Sequence, residues 1–154
     1  MVLRSNSLLF LCATLLLAGC GGSGRDVSEE ALDQMAGGSR EETVAVSGTV
    51  FINGTPAANV NIYAYTEESG MEPASKCRTE ADGTYCWWKY VMCDGLVPGE
   101  YRLAFAHVPK EPKNDQKEGK DLLQGKYRNP IENDFPLLVE SGKPQVDVNY
   151  ELEQ

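Results

Sequence analysis

The chain has 154 residues and a formal net charge of −9, set by 14 Lys and Arg against 23 Asp and Glu. That length holds one domain and a short appendage. The acidity, with no run of basic residues interleaved with aromatics, excludes nucleic acid and anionic lipid headgroups as expected partners.

The chain opens with one basic residue, Arg4, and an apolar run from Leu8 to Ala18 that is too short to span a bilayer. The run ends in Leu17-Ala18-Gly19-Cys20. This junction resembles the lipobox of bacterial lipoproteins. The resemblance implies that residues 1–19 are a signal peptide and that Cys20 becomes the diacylated first residue. Two acyl chains suffice for stable attachment, so the membrane is an expected partner through this anchor, without a transmembrane helix. Gly21 stands where lipoproteins kept at the inner membrane often carry Asp, which points to the outer membrane. Loss of Arg4 leaves the mature chain one charge more negative.

Residues 20–42 read as a lipidated cysteine and flexible tether. Gly21-Gly22-Ser23-Gly24 is linker composition. The alternative for its second half is a short helix capped by Ser28, running to Met35 and ended by Gly37.

From Thr43 the apolar period changes to two. Val44, Val46, Val50 and Ile52 share one parity, and Asn53-Gly54 is a hairpin signal. Val60, Ile62 and Ala64 follow. Ser75–Ala81 and Thr84–Tyr90 flank Asp82-Gly83. Tyr101, Leu103 and Phe105 follow Pro98-Gly99. Leu137 and Val139 precede Ser141-Gly142-Lys143-Pro144, and Val146, Val148, Tyr150 and Leu152 close the alternation. Seven short strands separated by turn chemistry predict an all-β, antiparallel, seven-stranded sandwich over residues 43–154. Pro109–Lys120 has mixed charge and no apolar period, and reads as a solvated loop.

Val46-Ser-Gly-Thr-Val50, Asn53-Gly-Thr-Pro56 and Ala58-Asn-Val-Asn-Ile62 resemble the opening of carboxypeptidase-regulatory-like domains. Thr79-Glu-Ala-Asp-Gly-Thr-Tyr85 resembles their Asp-Gly hairpin, and Asp94-Gly-Leu-Val-Pro-Gly-Glu-Tyr101 their Pro-Gly strand entry. Asn59 departs from the family's usual Gly. The likeness covers roughly Val44–Leu152, and Lys126-Tyr127 and the ending resemble small bacterial lipoproteins built from one such domain. It implies a transthyretin-like (prealbumin-like) sandwich that serves as an accessory or binding module. Enzymes on related folds need residues that this chain lacks. Hydroxyisourate hydrolases use several histidines and a C-terminal Tyr-Arg-Gly-Ser, whereas Tyr127-Arg128 here is internal and precedes Asn129-Pro130. Intradiol dioxygenases use two histidines on iron, and His107 is the only histidine.

Once Cys12 is removed and Cys20 lipidated, Cys77, Cys86 and Cys93 remain. An exported compartment permits one bridge and one free thiol. No Cys-x-x-Cys is present, and one histidine does not complete the usual zinc sets, so neither a metal site nor a cofactor is expected. A type I turn with a glycine bulge at Ala81-Asp82-Gly83 pairs Glu80 with Thr84 and Thr79 with Tyr85, and sets Cys77 opposite Trp87. Cys77, Thr79, Tyr85 and Trp87 then face the core, while Arg78, Glu80, Cys86 and Trp88 face out. A two-residue turn would instead pair Thr79 with Cys86 and bring charges beside inward Tyr85. The bulged register disfavours a Cys77–Cys86 bridge, because their side chains diverge. It predicts Cys86–Cys93, which closes a loop of about eight residues worth roughly 2.5 kcal/mol, with Cys77 a buried thiol. Asp82, Asp94 and Asp134 lack calcium-loop spacing and read as solvated turn carboxylates.

The expected function is a non-catalytic structural or binding module on the cell envelope, with no catalytic residues and an envelope protein or glycan as partner. The alternative is binding of carbohydrate or peptidoglycan through outward Trp88 and Tyr90, against which stands their burial as ordinary strand packing. A third class is an envelope hydrolase or redox protein, for which His107 is the one base in view and Lys89 the one basic neighbour of the cysteines.

Overall fold

The computed structural model describes residues 28–109 and 119–154. The expected signal peptide, Cys20 and the centre of the 109–120 loop lie outside the described residues.

The chain enters through α1 (Glu29–Met35). Ser28 caps it: the Ala31 N–H donates to Ser28 Oγ at 3.3 Å, and Glu29 and Glu30 sit in the first turn where the helix dipole favours anions. Arg40 folds back onto Asp33 at 2.9 Å and onto Glu29. Part of the expected flexible tether is therefore a helix, because a cap and a returning guanidinium supply what its short length lacks.

Two sheets follow. The smaller holds β1 (Ser47–Ile52), β2 (Thr55–Pro56), β5 (Thr84–Cys86) and β8 (Tyr150–Leu152). The larger runs β4 (Ser75–Arg78), β3 (Val60–Tyr65), β6 (Gly99–His107), β7 (Pro136–Val139), all antiparallel neighbours. Each of the seven apolar runs contains a strand, and β2 is an addition made by the Asn53-Gly54 turn. Both turn residues have positive φ, 51° and 76°, as the tightest hairpins require.

β1 uses both its edges. Val46 and Val50 bond toward Trp87, Gly83 and Ala57, the β5 and β2 side. Ala45 and Ser47 bond to Gln145 and Val148 on the other side. There the expectation of a purely antiparallel sandwich fails, since β8 runs parallel to β1, with Val50 opposite Tyr150 and Ile52 opposite Leu152. After β7 the chain leaves the larger sheet and returns along the first strand in that strand's own direction.

The closing alternation also breaks. Ser47 N–H donates to Gln145 O and Ser47 O accepts from Val148 N–H, so one extra residue is inserted, and Asp147 takes a φ of 62°. Val146 is thereby 70 % exposed, while Tyr150 and Leu152 are buried. Gly48 lies under this bulge. A Cβ there would sit 1.9 Å from Val148 O, which only glycine avoids.

The core lies between the sheets. Val46, Val50, Val60, Ile62, Leu103, Phe105, Trp87, Val139 and Leu152 are essentially inaccessible. Phe105 packs edge-on against Phe135 at 5.0 Å between ring centres and lies 5.3 Å from Tyr150. Thr79 is the one buried polar residue among the described residues, and it is satisfied. Its hydroxyl donates to Ala57 O at 2.7 Å and accepts from Val60 N–H at 2.9 Å.

Candidate functional site

The Asp82-Gly83 segment forms the bulged turn. Glu80 N–H donates to Thr84 O at 2.8 Å and Gly83 N–H to Glu80 O at 3.1 Å, with Gly83 at φ 82°. The predicted hairpin does not continue beyond that pair. Thr79 bonds to Val60 and Asn59, while Tyr85 lies opposite Gly48. Thr79–Tyr85 and Cys77–Trp87 are not ladder partners: Cys77 lies opposite Ile62, and the Trp87 N–H donates to Val46 O. β4 and β5 diverge into different sheets. The predicted faces survive this separation: Cys77, Thr79, Tyr85 and Trp87 are buried, and Arg78, Glu80, Cys86 and Trp88 are half-buried or exposed.

Cys86 and Cys93 form a disulfide, with Cα atoms 5.2 Å apart. Cys77 is a buried free thiol, and burial raises its pKa well above that of an ordinary thiol. Just after the closed loop, half-buried Asp94 has a role that its reading as a solvated turn carboxylate did not announce. Its carboxylate accepts from the N–H groups of Lys89, Tyr90 and Val91 at 2.6, 2.9 and 3.1 Å. The Gly95 N–H closes the base of the loop on Trp87 O. Covalent closure and this carboxylate nest hold Trp88 on a rigid mount, and it is 55 % exposed. Met92 at the tip is 88 % exposed.

Tyr90 is spent differently. Its hydroxyl accepts from the Glu41 N–H at 3.2 Å, and Lys89 lies over its ring while pairing with the Glu41 carboxylate. That contact raises the Lys89 pKa. Tyr90 thus ties the entering chain to the loop instead of standing beside Trp88.

Two grooves flank Trp88. One, of about 450 Å³, opens where β4 and β5 diverge and continues onto the smaller sheet past Ser47, Thr49, Thr84, Glu80 and Asp147. The other, of about 310 Å³, lies on the larger sheet between Trp88, Tyr63, Asn61, Lys76 and Arg78. Cys77, Arg78 and Trp88 line both. Arg78 is held by Asn59 Oδ1 at 3.1 Å and Val108 O at 2.6 Å, with its Nε buried and unpartnered. Sequence reading missed Lys76, Arg78, Asn61 and Tyr63 as site residues. Their only signal was the outward parity they share on two strands that the sequence does not pair.

His107 ends β6 opposite Val60 and lines neither groove, and burial lowers its pKa. Asp82 accepts from the Thr84 hydroxyl and N–H at 2.6 and 3.0 Å, a local turn contact. Asp134 is exposed. Among the described residues no group of three His, Cys, Asp or Glu side chains converges on a point, and no helix is long and apolar enough to cross a membrane.

No family model and no curated protein matches the chain. Among solved structures it is similar to a DUF3823 family protein from Bacteroides ovatus, at 10 % identity and a TM-score of 0.41, over 70 % of this chain and 44 % of that one. The chain thus spans less than half the length of that protein, and a likeness this distant does not bear on function.

Proposed function

We propose that the chain is an envelope lipoprotein anchored through Cys20, whose β-sandwich is a non-catalytic binding module with Trp88 at the centre of its working surface. The observation that carries the surface assignment is the mounting of Trp88. A large ring more than half exposed is held by a disulfide-closed loop and a carboxylate nest, between two grooves. Rigid mounting lowers the entropy lost on binding, and exposed aromatics are the residues most often found at the centre of recognition surfaces. The carboxypeptidase-regulatory-like, transthyretin-like reading is supported by where its motifs fall. Val46–Val50 leads into β1, Asn53–Pro56 makes the β1–β2 turn, Thr79–Tyr85 is the crossover between sheets, and Pro98–Tyr101 enters β6. The anchor is supported by the Leu-Ala-Gly-Cys junction, and outer-membrane placement by Gly21.

Retention of the unlipidated Cys20→Ser chain on purified envelope fractions tests the surface apart from the anchor. Trp88→Ala is expected to lower retention about tenfold with unchanged thermal stability, and unchanged retention would move the working surface elsewhere. Cys20→Ser is expected to abolish incorporation of a clickable fatty acid, and equal labelling would remove the anchor.

A further inference from the structure

We infer that the groove between Trp88 and β4 recognises a saccharide carrying a carboxylate or sulfate. This deepens the binding-module reading and rests on it. The groove is lined by two aromatic rings, Trp88 and Tyr63, two cations, Lys76 and Arg78, and one amide, Asn61, with no carboxylate. In a chain with 23 acidic and 14 basic residues, that local composition runs against the whole.

Strand pairing creates it. Lys76 is opposite Tyr63 and Arg78 opposite Asn61, so the four alternate across two strands on one face. Two steps along a strand separate the Cα atoms of Lys76 and Arg78 by about 6.7 Å. Neither cation forms an ion pair among the described residues. Arg78 is also fixed in place by Asn59 and Val108, so its charge is presented without loss of side-chain freedom.

Aromatic faces select a ligand with a flat apolar face. Paired cations select negative charge, and the amide selects hydroxyl or carbonyl groups. A pyranose bearing an acidic substituent has all three. A nucleic acid also has rings and charge, but duplex phosphates are packed at about one charge per 1.7 Å, and the acidic remainder of the chain repels so dense a polyanion. A saccharide with about one charge per ring meets the cations without that penalty. On the other side of Trp88 the lining turns to hydroxyls and carboxylates, namely Ser47, Thr49, Thr84, Glu80 and Asp147. A longer chain therefore sets its acidic ring on the Tyr63 side and a neutral ring on the Thr84 side.

The test is binding of the full chain, in detergent micelles, to a panel of uronate and sulfated oligosaccharides, to neutral oligosaccharides including methyl-esterified uronates, and to polyglutamate and oligothymidylate. Acidic saccharides are expected to bind, more weakly as salt rises. Lys76→Gln is expected to cost about fivefold on the acidic panel only, and Trp88→Ala about tenfold. Arg78→Lys, which keeps charge but loses the fork, separates a folding defect from a binding one when read beside circular dichroism. Equal binding of neutral and acidic saccharides, or no saccharide binding while envelope retention still depends on Trp88, overturns the charge inference and leaves the module reading standing. Oligothymidylate or polyglutamate binding as tightly as the acidic saccharides overturns the saccharide class. Indifference of every interaction to Trp88→Ala overturns both readings.

Discussion

Asn53-Gly54 and Asp82-Gly83 look alike in sequence and do opposite things. The first turns the chain back on itself, so that Ile52 faces Thr55 and Phe51 faces Pro56 within one sheet. The second closes a single pair, Glu80 with Thr84, and then sends the two strands to different sheets. The surroundings of the two glycines differ accordingly. A Cβ on Gly54 meets nothing within 4 Å, whereas one on Gly83 sits 2.8 Å from Ala57 N and 2.8 Å from Pro56 Cβ. A hairpin tip is free because both its strands belong to one layer. A crossover is crowded because it must pass over the end of another strand.

The largest expected effect separates the two turns directly. Gly83→Ala combines a left-handed backbone with a backbone collision and should cost about 3 kcal/mol. Urea unfolding measures it, and a cost equal to that of Gly54→Ala would show that the crossover is not packed against β2. Next is the loop that follows the crossover. Replacing Cys86 and Cys93 together by serine should cost about 2.5 kcal/mol on the chain-entropy model, with Cys77 unreactive toward a thiol reagent until the domain unfolds. Non-reducing peptide mapping checks the pairing, and a bridge that includes Cys77 would contradict the inward face assigned to it. Gly54→Ala carries the backbone strain alone, about 1 kcal/mol, as the same unfolding series would report.

The smallest effect is electrostatic. The hydroxyl and N–H of Thr84 hold the Asp82 carboxyl below its ordinary value of 3.8. A folded-state pKa below the unfolded one means that the folded chain binds fewer protons in that window. The contribution is present above the unfolded pKa and is lost as pH falls through the folded one. Asp82→Asn keeps a neutral acceptor for Thr84 but loses the ionised one, so it should lower neutral stability slightly and make the decline below about pH 4 shallower. Thermal melts across pH 2–6 check this. An unchanged acid profile would show that Asp82 gains nothing from Thr84.

The same comparison shows how much of the candidate site was legible. Parity placed Cys77, Tyr85 and Trp87 inside and Cys86 and Trp88 outside, because alternation along a strand holds whatever the strand pairs with. It did not show that Tyr90 would be turned to the Glu41 backbone, nor that Asp94 would gather three N–H groups, since both depend on a loop path that has no period. The tether showed its helix only as the alternative to a flexible spacer, because the returning Arg40 lies several residues beyond Met35.

By itself, the amino-acid sequence determined where strands and turns fall, which side chains of each strand face inward, and which cysteine looks toward Cys93. These follow from dihedral preferences and period-two burial, which act over a few residues. The tertiary structure alone decided that β4 pairs with β3 and β5 with β1, that β8 lies parallel to β1 over Gly48, and that Lys76, Arg78, Asn61, Tyr63 and Trp88 share a groove. Each stretch of backbone edge takes only one partner, and that choice is settled by competition among strands far apart in the chain, which local pattern does not record.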